Sequence, residues 1–140
     1  MILVPDAGSL ELLERTLRSA LAVDVPLSVR LYGNDYTPVP GSVLANFTEA
    51  GWLGYFRETI NRAGWDAAVL VGGLASVTYG TVFEWTNNSG ADVTVYGWYA
   101  VNPATAVVQL AERFGTTRTL AAGAKLQLQP VVTGTTRPCV

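Results

Sequence analysis

Two periods divide the chain. Leu10, Leu13, Leu17, Ala20 and Leu21 recur at helical spacing and form one apolar stripe. Ser9 can accept a bond from an orphan N–H of the first turn, Glu11 and Glu14 stand at the positive end of the helix dipole, and Arg15 and Arg18 lie further on. The spacing predicts a helix over 9–23, ended by Asp24-Val25-Pro26, with one face buried on its own sheet or on a neighbouring subunit. From Leu27 the period becomes two. Leu27, Val29 and Leu31 point one way and Ser28, Arg30 and Tyr32 the other, as in a half-buried strand.

Gly33-Asn34-Asp35 and Pro38-Val39-Pro40-Gly41 predict a long ordered loop, too rich in proline for a central strand. Strands are expected over Gly54 to Asn61 and Ala67 to Val71. The strongest local signal is a hairpin, with Gly80 to Thr86 as one arm, Asn87-Asn88-Ser89-Gly90 as the turn and Val93 to Val101 as the other arm. Both alternating sets of the second arm carry large apolar groups, so both its faces are expected to be covered. Ala106 to Phe114 and Lys125 to Val132 read as the last strands, with Gly123 at the turn between them. Seven or eight short strands at regular spacing predict a mainly β fold: a single β-sandwich, jelly-roll-like, with one N-terminal α-helix. No internal repeat or linker divides the chain, so one domain is expected over 1–140: an arm over 1–8, the helix over 9–23, the sandwich over 27–132 and a loose tail over 133–140.

Composition shifts attention to the surface. Charged residues make up 14% of the chain and hydrophobic residues 49%, where an ordinary soluble domain carries about 25% charged residues. A surface this short of charge can be covered by another protein. The net charge is −2 and the nine cationic side chains are scattered, which gives no footprint for a nucleic-acid partner. The uncharged runs Ala67 to Phe83 and Val93 to Ala111 are broken by glycines and by Asn102-Pro103, so no membrane span is expected. The start, Met1 to Asp6, lacks the basic region of a secretion signal.

Candidate chemistry is sparse. There is no histidine, which removes the usual general base and the commonest metal ligand, and Cys139 is the single cysteine. Glu49 with Glu58 or Glu84 is the best carboxylate pair for a hydrolase, yet all three read more simply as solvated strand or loop residues. Asp35 lacks the dense acidic spacing of a calcium loop, and Gly72-Gly73 is not followed by the Lys-Ser/Thr pair of a phosphate loop. No catalytic residue, cofactor or metal is therefore expected. Trp52, Tyr55, Phe56, Trp65, Trp85, Tyr96, Trp98 and Tyr99 are more large aromatics than a small core comfortably holds, so some are expected at a subunit contact.

Leu31-Tyr32-Gly33-Asn34-Asp35-Tyr36-Thr37-Pro38, Phe47-Thr48-Glu49-Ala50 leading to Gly54-Tyr55, Val95-Tyr96-Gly97-Trp98-Tyr99, and Ala111-Glu112-Arg113-Phe114-Gly115 resemble, in this order, a family of small virion-associated proteins of tailed bacteriophages. The resemblance covers nearly the whole chain and implies a non-enzymatic structural protein of the virion, above all a capsid cement (decoration) protein, assembled in the cytoplasm of a host bacterium. The partners it implies are the chain itself, with a trimer favoured, and the major capsid protein. Candidate contact residues are Ile2, Leu3 and Val4 of the apolar arm, with Trp52, Tyr55 and Trp98. The rival expectation is a carbohydrate-binding or adhesion module of a phage tail or fibre, which would set its exposed aromatics in an open groove.

Overall fold

The structure is a computed structural model that describes residues 25–71 and 74–133. The arm over 1–8, the helix over 9–23 and residues 134–140 of the tail lie outside the described residues. Within them the fold is mainly β, and every strand pairing is antiparallel. Nine strands are described: β1 Leu27–Tyr32, β2 Glu58–Ile60, β3 Val69–Val71, β4 Leu74–Thr78, β5 Phe83–Thr86, β6 Val93–Val101, β7 Val108–Leu120, β8 Lys125–Leu128 and β9 Val131–Thr133. They form a four-stranded sheet in the order β2-β1-β6-β7, a three-stranded sheet β3-β4-β9 and a two-stranded ribbon β5-β8. Two 3-10 turns, Leu44–Asn46 and Arg62–Gly64, are the only helical pieces among the described residues.

The alternation read in β1 holds in the pairing. Val29 and Leu31 lie opposite Ala100 and Trp98, and all four join the larger core. That core also takes Phe83 and Trp85 from β5, Leu126 and Leu128 from β8, Ile60 from β2, Leu110 and Leu120 from β7, and Tyr79 after β4. Tyr32, Tyr99, Val101, Val108 and Ala111 turn to the other face of the four-stranded sheet and close, with Phe47, a second, aromatic core. Both faces of β6 are thus covered. Its middle is fixed by Gly97, opposite Tyr32, where a Cβ would collide with the Glu112 carbonyl oxygen and the Tyr32 hydroxyl. Beyond it the register of β6 on β7 shifts between Val95 and Gly97, and Val95 joins Trp98 and Ala100 in the larger core. An insertion of this kind re-aims the side chains beyond it.

The second core explains most of the residues that carried the resemblance. The loop after β1 folds back over the sheet: Gly33 N–H donates to Thr48 O at 2.9 Å, and Asn34 donates to Asn46 O at 2.9 Å while accepting from Thr48 N–H at 2.7 Å. Arg113 reaches up from β7 to Asp35 at 2.7 Å and to Tyr36 O at 3.1 Å, with its guanidinium 5.2 Å from the Tyr96 ring centroid. Phe47 then stacks on Tyr99 with centroids 4.6 Å apart, and meets Tyr32 and Tyr36 edge-on. These segments, distant in sequence, hold one loop on one sheet face.

Five expectations need correction. The single strand expected over Lys125 to Val132 is two, β8 and β9, which belong to different sheets. The segments Phe83–Thr86 and Val93–Val101 are strands but not partners: β5 pairs with β8, and β6 with β1 and β7. Asn87-Asn88-Ser89-Gly90 therefore carries the chain from one sheet to another, although Gly90 does adopt a positive φ of 77°. The strand expected over Gly54 to Asn61 shortens to Glu58–Ile60, because Trp52 to Phe56 bends over β5: Trp85 Nε1 donates to Phe56 O at 2.7 Å and Asn88 N–H to Leu53 O at 2.8 Å. The strand expected from Ala106 begins at Val108, since Ala106 is held at a positive φ of 59° with its N–H on Asn102 O, and β7 then runs on to Leu120. Thr133, placed in the loose tail, pairs with Ser76 at the end of β9.

Candidate interaction surface

Two of the three glutamates weighed for chemistry, Glu49 and Glu84, are occupied by donors from neighbouring side chains. Glu49, in the loop after the second-core phenylalanine, receives Arg57 Nε and Nη2 at 2.7 and 2.8 Å, Arg30 Nη1 at 3.3 Å and the Tyr55 hydroxyl at 3.0 Å. Burial pushes its carboxyl up, but the bonds from Arg57 and Tyr55 and the charges of Arg30 and Arg57 outweigh it and hold the group below the usual carboxylate range. The Tyr55 hydroxyl also accepts from Leu31 N–H at 3.3 Å, and its phenol is raised, first by burial and then by the Glu49 charge. Such a carboxylate, fully donated to, anchors a loop and has no proton to move near neutrality. Glu84 belongs to the β5-β8 ribbon and is occupied by Lys125 at 2.6 Å and Gln127 at 2.8 Å. Glu58 stands on β2, pushed up by burial. Asp35, weighed as a calcium ligand, is the partner of Arg113. Among the described residues no group of three or more acidic or cysteine side chains converges as a metal site, and no helix is long and apolar enough to cross a membrane.

The aromatics are largely inside. Trp85, Trp98 and Tyr99 are fully buried. Trp98, expected at a subunit contact, is thereby corrected to a core residue whose Nε1 donates to Glu112 at 3.0 Å. The other contact candidates on the sheet side, Trp52 and Tyr55, are half-buried, 5.2 Å apart between centroids, with Trp52 Nε1 on Thr86 O. Ile2, Leu3 and Val4 lie outside the described residues. The core holds more aromatics than sequence length suggested because it is two cores, one on each face of the four-stranded sheet. Among the described aromatics, Phe56 alone is exposed.

The apolar surplus is aliphatic instead, and it is concentrated on an edge. Val69, Leu70 and Val71 of β3 are 58, 78 and 60% exposed, and Ala67 and Ala68 before them are exposed too. Among the described residues β3 is the outer strand of its sheet and pairs only with β4, through Val69↔Ser76, Leu70↔Ala75 and Val71↔Leu74. Its other edge therefore offers backbone N–H and C=O groups to whatever lies beside it. Soluble proteins commonly guard such an edge with lysine, proline or a bulge; the run Ala67 to Val71 has no charge and no proline. Leu70 is the most exposed of the large hydrophobic side chains among the described residues.

A second feature lies beside Leu27. Leu27, Trp65, Val77, Leu110 and Val132, with Arg62 and Gln109, line a cleft of about 470 Å³. A register shift between Ala100 and Val101 leaves Gln109 as the extra residue of β7, 2% exposed, with a buried Nε2 that has no hydrogen-bond partner among the described residues. No protein-family model matches the chain, and no curated protein matches it.

Proposed function

We propose that this chain is a non-enzymatic structural protein that works through protein–protein contact, as a capsid cement (decoration) protein of a tailed bacteriophage. An exposed strand edge without charge or proline, in a chain with 14% charged residues, is the observation that favours it. A cement protein has to present backbone and apolar groups to a lattice while its own body stays rigid. The two cores, the Glu49 anchor and the loop clamped by Asn34 and Arg113 supply the rigidity. In this reading the three sheets are the layers of a jelly-roll-like sandwich. The assembly is a homo-oligomer, with the trimer drawn from the phage resemblance, and the larger partner is the major capsid protein. The carbohydrate-binding alternative gains little from the described aromatics, since stacking on sugars asks for exposed rings and Phe56 alone is exposed.

The test is binding. Purified protein is mixed with capsids lacking it and sedimented, and intact virions are assayed for stoichiometric copies of the chain. Saturable co-sedimentation in a fixed copy number is expected. A protein that stays monomeric at high concentration, ignores capsids and binds on a glycan array would overturn the proposal in favour of the carbohydrate-binding alternative.

A further inference from the structure

We infer that the free edge of β3 pairs, antiparallel and across a twofold axis, with β3 of a second copy of this chain; this rests on the protein-contact reading above and names one of its surfaces. The backbone determines the kind of occupant. An edge strand with unpaired N–H and C=O groups is matched by another extended strand, not by a helix or a small apolar molecule. The side chains favour a second copy. A strand that meets itself across a twofold brings every charge near its own duplicate, and like charges opposite one another on paired strands are destabilising. In β3 there is no such charge: Val69, Leu70 and Val71 are all aliphatic. With Leu70 opposite Leu70 of the second copy, Val69 falls opposite Val71, and β-branched pairs suit a pleated surface.

The nearest acidic group also fits. Asp66 continues the edge beyond β3, its N–H donating to Thr78 O at 2.9 Å. In the twofold register each Asp66 lies beyond the Val71 end of the other copy's β3. The two carboxylates are then about 27 Å apart at ~3.4 Å per residue, well beyond the screening length of about 8–10 Å in physiological salt. Three strand residues make a small contact, so a free pair is expected to be weak and concentration-dependent, while repetition on a lattice multiplies it. A twofold contact yields pairs, so any threefold assembly uses a different surface and is joined to its neighbours by this one.

The experiment is sedimentation equilibrium over a wide concentration range on the full chain, its L70K and L70E variants, and their equimolar mixture. Leu70 is 78% exposed, so neither variant should disturb folding, which near-UV circular dichroism verifies. The wild type is expected to dimerise. Each variant alone should weaken association at least about tenfold, because both copies forfeit a covered leucine and face a like charge. The L70K and L70E mixture should restore it, since lysine then faces glutamate. Wild-type association that both variants leave unchanged would overturn the β3 contact but leave the protein-contact reading standing on another face. Weakening without restoration would overturn self-pairing and point to a different strand as partner. A monomeric wild type that still binds capsids would sink the inference alone, whereas one that also ignores capsids would sink both.

Discussion

Asn87 is the position where the geometry makes its sharpest demand on stability. It follows β5 and is fully buried. Its Nδ2 donates to Ala91 O at 2.7 Å and to Leu120 O at 2.9 Å, while its Oδ1 accepts from Ser89 N–H at 3.0 Å and from the Ser89 hydroxyl at 2.6 Å. Its backbone binds the β7–β8 turn, donating to Ala124 O and accepting from Gly123 N–H. One side chain thus joins the exit of β5, the entry to β6 and the end of β7. Asn87→Ala leaves the Leu120 carbonyl in a buried place without a donor, which costs about 1–3 kcal/mol. The partners at Ser89 and Ala91 are at exposed residues and can turn to water, so the whole loss is about 2–4 kcal/mol. In urea, with a slope of about 1–3 kcal/mol per molar, the midpoint should fall by about 1–2 M. Asn87→Asp sharpens the test. A carboxylate keeps the Ser89 bonds but turns an acceptor on two carbonyl oxygens, so its folded-state pKa is raised above the unfolded one. Such a group is least harmful below the unfolded carboxyl value and costs stability as pH rises through the folded value. The Asp variant should therefore approach wild type in acid and fall away towards neutrality. An Ala variant within about 0.5 kcal/mol of wild type, as expected of an ordinary surface change, would refute the hub.

Three further outcomes are expected. Gly97→Ala should destabilise by about 3 kcal/mol or more, because the obstructing Glu112 carbonyl is strand backbone and cannot yield as a side chain would; adding Tyr32→Phe should recover little, and full recovery would place the clash elsewhere. Gln109→Met should stabilise by about 1 kcal/mol, raising Tm, since it replaces an amide whose buried Nε2 has no partner with an apolar chain of similar length; a fall in Tm would show that the amide is bonded in solution. Glu49, held below its ordinary value of 4.5, contributes stability that is present above the unfolded value and lost as pH falls through the folded one. The Tm gap between wild type and Glu49→Gln should accordingly be widest near neutrality and close in acid, and a gap independent of pH would remove Glu49 as the anchor.

Local period carried a good part of the fold. The alternation of β1 and the double-sided β6 were legible because side-chain direction in a strand follows from spacing alone. Partnership was not, and the hairpin shows why. Asn87 to Gly90 has the composition of a tight turn, and Gly90 has the positive φ such a turn uses. Yet the side chain of Asn87 is consumed by Leu120, more than thirty residues away, and the ribbon closes between β5 and β8 instead. Turn composition reports a local conformation, while the choice of neighbour is settled by burial across the whole sheet, as Trp85 and Phe83 opposite Leu126 and Leu128 illustrate.

The candidate surface was misread for a related reason. The aliphatic run at 67–71 was read as a strand with no exposure assigned to it, and aromatic abundance was taken as a sign of exposure. The second inference weighs amount and ignores geometry. Aromatic rings fill space on both faces of one sheet here, because Gly97 lets Tyr32 lie flat on β6 and Phe47 then stacks on Tyr99. Valine and leucine at 69–71 are outermost because their strand is the edge of a three-stranded sheet, with nothing described beyond it. A sequence signal did exist: the absence of lysine, proline or aspartate from 67 to 71. On an edge that absence is a choice of partner, since a charged guard residue would be compatible with solvent and incompatible with self-pairing. Charge left out of a strand carries information only once the strand is known to be an edge, and that knowledge is topological.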